Sequence, residues 1–131
     1  MFLYITLGTN DLARAQRFYD AVMPCLGLAL RASEDSEIGY GLPDGSRIRF
    51  WVTHPFDGKP ATVGNGSMPA FAAPTRAVVD AFYHAALQNG GSDEGAPGLR
   101  YQPDFYSCYV RDPDGNKLSA VCEAPGAAPK G

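Results

Sequence analysis

The chain has little histidine, little cysteine, one tryptophan and no surplus of positive charge. Its 131 residues hold 2 His, 3 Cys and 1 Trp, and 11 Lys and Arg stand against 14 Asp and Glu, a net charge of −3. A chain without basic surplus has little to neutralise a phosphate backbone, so nucleic acid is not an expected partner. No apolar run approaches the roughly 18 residues that a membrane-spanning helix needs, so no membrane association is expected either. Cys25, Cys108 and Cys122 are an odd number with no metal spacing. They read as reduced, mostly buried thiols of a cytoplasmic protein, with a Cys108–Cys122 disulfide as the alternative. Cysteine and two scattered histidines supply too few ligands for a zinc site. The opening segment MFLYITLGTND has neither a basic run nor a cleavage pattern, so it is expected to be a strand and not a signal peptide.

What is present suits one folded domain. Apolar residues make up 45% and charged residues 19%, too apolar for a disordered chain. The 15 Gly and 11 Pro imply many turns. Residues 2–8 alternate as a strand, with Leu3, Ile5 and Leu7 on one face and Phe2, Tyr4 and Thr6 on the other. Asn10 or Asp11 can cap a helix running to about Met23, with Leu12, Ala15, Tyr19 and Val22 as its apolar stripe and Phe18 beside it. Strands are expected over 27–33, 36–42 and 46–52, the last two joined by a turn at Pro43-Asp44-Gly45. Residues 54–66 read as a linker. A strand over 68–73 and a helix capped by Thr75 and running to about Gln88 follow, with Val78, Phe82, Ala85 and Ala86 as the stripe. The stretch 92–103 is expected to hold one short strand. A closing hairpin, 105–111 and 116–122, turns at Asp112-Pro113-Asp114-Gly115-Asn116.

The second half repeats the first. An offset of 64 carries Phe18-Tyr19 onto Phe82-Tyr83 and Tyr4 onto Met68, and an offset of 70 carries Asp44-Gly45 onto Asp114-Gly115 and Arg49 onto Ser119. The expected fold is α+β: two βαβββ modules, 1–53 and 67–123, related by a pseudo-twofold axis, with a frayed tail over 124–131. Pairing Arg111 with Lys117 and Tyr109 with Ser119 puts Cys108, Val110, Leu118, Ala120 and Cys122 on the helix side of the second sheet. The same rule puts Ile38, Tyr40, Ile48, Phe50 and Val52 on the helix side of the first. Gly39, Gly41, Arg47, Arg49 and Trp51 then face a cleft enclosed by the curved mixed sheet, with the helices outside.

Paired βαβββ modules, Phe-Tyr in the second half of each helix, the segment AFAAPTRAVVDAFYHAAL and the closing YVRDPDGNKLSAVC together resemble the vicinal oxygen chelate superfamily, the glyoxalase, bleomycin-resistance and extradiol-dioxygenase group. The resemblance covers residues 2 to about 123. It implies a divalent metal on the cleft floor, held by His, Gln or Glu from the first and last strands of each module, and a homodimer. Carried over residue by residue, those positions are Tyr4 and Met68, with Ser119 and its counterpart Arg49. A neutral phenol, a soft thioether, a hydroxyl and a fixed cation do not suit a hard or borderline divalent ion. The family metal is therefore expected to be absent, with no cofactor in its place.

The expected function is metal-free binding of a small organic molecule, anionic or aromatic, in the cleft, with Tyr4, Arg49, Trp51, Met68, Tyr109 and Ser119 as its contacts. Whether chemistry follows is left open; no residue is assigned a catalytic role, though Tyr4 or Tyr109 has the chemistry of a weak general acid. His54 and His84 read as solvated, and Asp112 and Asp114 as turn residues. Arg47, Arg111 and Lys117 read as hairpin-tip charges in water, and Arg49 as a cross-strand partner of Glu37 unless it faces a ligand. Two alternatives stand beside this reading: a metal-dependent lyase or dioxygenase of glyoxalase type, and a structural dimer with a closed pocket.

Overall fold

The computed structural model describes residues 1–45 and 47–125. Module one comprises β1 (Ile5–Gly8), α1 (Leu12–Val22), a 3-10 turn (Met23–Leu26), β2 (Ala29–Ser33), β3 (Glu37–Gly41) and β4 (Ile48–Thr53). Module two comprises β5 (Ala70–Ala72), α2 (Arg76–Gln88), β6 (Ser92–Leu99), β7 (Tyr106–Arg111) and β8 (Lys117–Cys122). Each module forms its own four-stranded mixed sheet, ordered β1-β4-β3-β2 and β5-β8-β7-β6. In each, the first strand runs parallel to the last and the other pairs are antiparallel. The α+β architecture of paired βαβββ units is therefore present, as two sheets and not one continuous surface.

Local chemistry explains the helix boundaries. The Asp11 carboxylate accepts from Arg14 N and the Thr75 hydroxyl from Val78 N, each satisfying an amide that the first turn leaves without an intrahelical partner. α1 buries Ala15, Phe18, Tyr19 and Val22, the expected stripe without Leu12, which is only partly buried. α2 is rotated from expectation: Val79, Phe82, Tyr83 and Ala86 are buried, while Val78 and Ala85 are only partly so. The reason is that α2 meets α1 as well as its own sheet, which widens the apolar face beyond a single stripe.

The helix-facing sides of both sheets merge into one core. Tyr19, Tyr40 and Phe50 cluster with ring centroids 5.0–6.4 Å apart, and Phe50 of β4 meets Phe71 of β5 edge-on at 5.4 Å. In module two the expected pairing holds, with Tyr109 opposite Ser119 and Arg111 opposite Lys117, and Cys108, Val110, Leu118, Ala120 and Cys122 fully buried.

Module one departs from expectation at the start of β4. Tyr40 pairs with Phe50 but Gly41 pairs with Ile48, so one extra residue sits in β4 at this point. The bulge swings Ile48 onto the face of Gly39 and Trp51, where its Cγ2 would lie 2.9 Å from a methyl on Gly39. Ile48 is thus not on the helix side. Glu37 pairs with Thr53 and not with Arg49, so the cross-strand ion pair does not form. β6 is eight residues long, not a short strand, and two register shifts break its pairing with β7. β5 begins at Ala70, two residues later than expected, because Pro69 cannot donate to the ladder. Of the expected tail, Ala124 packs against the core, and 126–131 lie outside the described residues, as does Ser46 at the expected start of β4.

Candidate functional site

The closing turn Asp112–Asn116 does more than reverse the chain. The Asp112 carboxylate, 4% exposed, accepts from Tyr19 Oη (2.5 Å), Asn116 Nδ2 (2.9 Å) and the backbone N–H groups of Asp114 and Asn116 (both 2.9 Å). The Asp114 carboxylate accepts from Thr9 Oγ1 (2.5 Å), Asn10 N (2.9 Å) and Arg14 Nη2 (3.0 Å). Asn116 Nδ2 also donates to Gly8 O at 3.0 Å. Burial and the Asp112 carboxylate hold the Tyr19 hydroxyl protonated, its pKa raised well above that of a free tyrosine. The two aspartates read as turn residues are thus the lock between the hairpin of module two and the β1–α1 corner of module one. No periodicity pointed to that, because the partners lie about a hundred residues away.

On the face of module one away from the helix, the Trp51 ring packs closely against Gly39. A methyl on Gly39 would stand 2.8 Å from the indole Cε3 and Cζ3, so glycine is what lets the ring reach the sheet. Tyr4, half-exposed, stands across from Trp51. The two share a recess of about 280 Å³ with Thr6 and Glu37, and a second of about 440 Å³ with Gly45, Arg47 and Ile48. Arg47 is exposed near the hairpin tip, as expected, and also borders this second recess. Arg49 lines neither: it is exposed and its Nη1 donates to Leu3 O at 3.2 Å.

Around Tyr109 the corresponding face of module two is packed with side chains. Tyr109 sits between two cations, Arg100 Cζ at 5.1 Å and Lys117 Nζ at 5.5 Å from its ring centre. The Arg100 guanidinium is held by the carbonyls of Ala96, Gly98 and Ser107, the irregular stretch of β6 folding over it. Tyr101, at φ 63°, has its pKa raised chiefly by its hydrogen bond to Tyr109. Ser119 is fully buried, and among the described residues its hydroxyl has no hydrogen-bond partner. Met68 is 38% exposed and borders a recess with Arg111 and Lys117. His54 and His84 are both exposed. The structure thus brings Tyr4 and Trp51 together on one side, and Met68, Tyr109 and Ser119 around Lys117 on the other. Lys117, in the closing YVRDPDGNKLSAVC segment, and Arg100, beside Tyr109, were not among the expected contacts.

Register decides which residues stand at the family's metal positions. Thr9 N donates to Thr53 O as Ala73 N donates to Val121 O, and Thr6 pairs with Trp51 as Ala70 pairs with Ser119. The counterpart of Ser119 is therefore Trp51 and not Arg49, because module one has six residues, 42–47, between paired strand positions where module two has five, 112–116, and the β4 bulge adds one more. An indole, a serine hydroxyl, a phenol and a thioether offer no set of donors for a hard divalent ion. Among the described residues no group of three or more His, Cys, Asp or Glu is placed to hold one. No helix among them is long and apolar enough to cross a membrane.

Comparison with known proteins agrees with the fold. No curated protein matches. Among solved structures, a glyoxalase/bleomycin resistance protein from Albidiferax ferrireducens T118 is 41% identical, with a TM-score of 0.85 over 95% of this chain and 99% of that one. A glyoxalase/bleomycin resistance protein/dioxygenase family enzyme from Burkholderia phytofirmans PsJN is 17% identical, with a TM-score of 0.70 over 95% and 100%. A lactoylglutathione lyase from Agrobacterium tumefaciens is 21% identical, with a TM-score of 0.66 over 93% and 92%; these last two share the fold alone. The profile of the Glyoxalase/Bleomycin resistance protein/Dioxygenase superfamily matches residues 2–119, and the chain belongs to that superfamily.

Proposed function

We propose that the protein binds a small organic molecule with an aromatic or planar part against Trp51 and Tyr4, and that it does so without a metal. The observation that carries this reading is the half-buried Trp51 indole packed against Gly39 with Tyr4 across a recess. Two aromatic side chains lining the same recesses favour a flat ligand. The donor chemistry at Tyr4, Trp51, Met68 and Ser119 supports the metal-free form over a lyase or dioxygenase that works through a bound ion. Cys25, Cys108 and Cys122 are all free thiols, which suits a cytoplasmic protein. The exposed apolar run at the N-terminus, with Phe2 74% and Leu3 55% exposed, favours a homodimer.

Trp51 is the only tryptophan, so its emission reports this recess directly. Titration with a panel of uncharged aromatic compounds is expected to change it, and a saturating ligand at 100 times its Kd should raise stability by about 2.7 kcal/mol. Absence of any change in emission or melting across aromatic compounds, charged and uncharged, would overturn the reading. So would stoichiometric iron, zinc, manganese or nickel in protein purified without chelator. Sedimentation equilibrium tests the dimer.

A further inference from the structure

The segment joining the modules is fixed at both ends. The Asn10 side chain accepts from Ala61 N (2.7 Å) and donates to Ala61 O (3.0 Å), and Ser119 N donates to Pro69 O at 3.0 Å. Between these points the segment lies against two glycines. A methyl on Gly8 would stand 3.0 Å from Ala61 Cβ, and one on Gly115 3.3 Å from Val63 Cγ1. A recess of about 570 Å³ opens between the 63–68 backbone, Arg111 and Lys117. A smaller one of about 210 Å³ opens between Thr6, Thr62, Ser67 and Lys117. Lys117 borders both, and Thr6 is shared by the smaller recess and the one under Trp51. Thr6 thus stands between the recess under Trp51 and the one that Lys117 borders.

Charge in the two recesses beside the 62–68 segment is one-sided, whereas Glu37 lines the recess under Trp51. The only ionisable side chains lining the two recesses, among the described residues, are Arg111 and Lys117. Arg111 is partly engaged, with Nη1 donating to Gly115 O at 2.8 Å and Nε 3.6 Å from Glu94. Lys117 has no acidic partner among the described residues; its ammonium rests near the Tyr109 ring. A half-buried lysine bordering a concave site, within a chain of net charge −3, focuses positive potential where a ligand would enter. On the same strand face, two residues on, stands the buried Ser119 hydroxyl, with no hydrogen-bond partner among the described residues.

From these observations we propose that Lys117, with Arg111, holds the acidic end of the ligand beneath the 62–68 segment, so that the bound molecule is an organic oxyanion with its flat part on Trp51. The proposal rests on the binding reading above and names the chemistry of its ligand. Carboxylate and phosphate share the required chemistry, and the test separates them.

Trp51 fluorescence is titrated with benzoate, phenyl phosphate and benzamide, which share a ring and differ in charge. At least one acid is expected to bind about tenfold or more tightly than benzamide. Lys117→Met should bring that acid to the benzamide level and Lys117→Arg should retain most of the preference. Salt raised from about 0.05 to about 0.5 M should weaken the acid and leave benzamide unchanged. Whichever acid shows the preference identifies the anion. Equal binding of all three probes, insensitive to salt and to Lys117→Met, overturns the oxyanion assignment while the aromatic recess stands. A silent Trp51, with inorganic phosphate raising the melting temperature of the wild type but not of Lys117→Met, sinks the aromatic recess while the anion site stands. No response to any probe or to phosphate overturns both. The wild-type comparison of benzoate with benzamide decides the matter even if Lys117→Met does not fold.

Discussion

Tyr19→Phe tests the lock between the modules. The substitution keeps the ring, which packs edge-on to Phe18 at 4.8 Å and against Phe50 at 5.0 Å, and removes only the hydroxyl that donates to Asp112 at 2.5 Å. A buried hydrogen bond to a charged group contributes about 1.5–3 kcal/mol. Asp112 retains Asn116 Nδ2 and two backbone N–H donors, so the loss should fall in the lower half, about 1.5–2 kcal/mol. Asp112→Ala removes the acceptor from four donors at once and should cost about 3–5 kcal/mol, since it strips a buried, multiply bonded carboxylate. In that background the Tyr19 hydroxyl is itself an orphan, and Tyr19→Phe should be nearly neutral. The coupling energy of the cycle is then about 1.5–2 kcal/mol. Urea unfolding followed by Trp51 emission and by far-ultraviolet circular dichroism measures all four corners. A cost below about 0.5 kcal/mol for Tyr19→Phe in both backgrounds would refute the claim that this bond couples the modules.

Gly39→Ala should lift the Trp51 ring from the sheet, shift its emission to the red and cost about 1–3 kcal/mol; unchanged emission would show that the indole does not need that contact. Thr75→Ala removes the acceptor for Val78 N and should cost about 1 kcal/mol in chemical denaturation, with Thr75→Ser nearly neutral. Stability should also fall at alkaline pH. Burial pushes the Cys108 thiol up to about 11 and burial with Asp80 pushes the Tyr106 hydroxyl up to about 12, each above its ordinary value of 9.0 and 10.0. The unfolded chain therefore loses these protons first, so their contribution is intact below pH 9 and declines through about 11 to 12, with Cys108→Ala flattening the lower part of the slope.

Much of the fold is local and was legible for that reason. Alternation in β7 and β8, the Asp-Pro-Asp-Gly-Asn turn and the caps at Asp11 and Thr75 are set by residues within a few positions of one another, and each element formed where its pattern lay. The repeat of one module in the other was visible because similar sequences meet similar packing demands. Tertiary structure decided what depends on partners distant in the chain. The β4 bulge moved Ile48 to the cleft side and, with a β3–β4 connection one residue longer than that of β7–β8, made Trp51 and not Arg49 the counterpart of Ser119. A single inserted residue changes register without changing composition, so no count of apolar positions could reveal it. The burial of Asp112 and Asp114 likewise follows from the hairpin tip reaching the β1–α1 corner, where the free amide, hydroxyl and guanidinium groups of the first module require an acceptor.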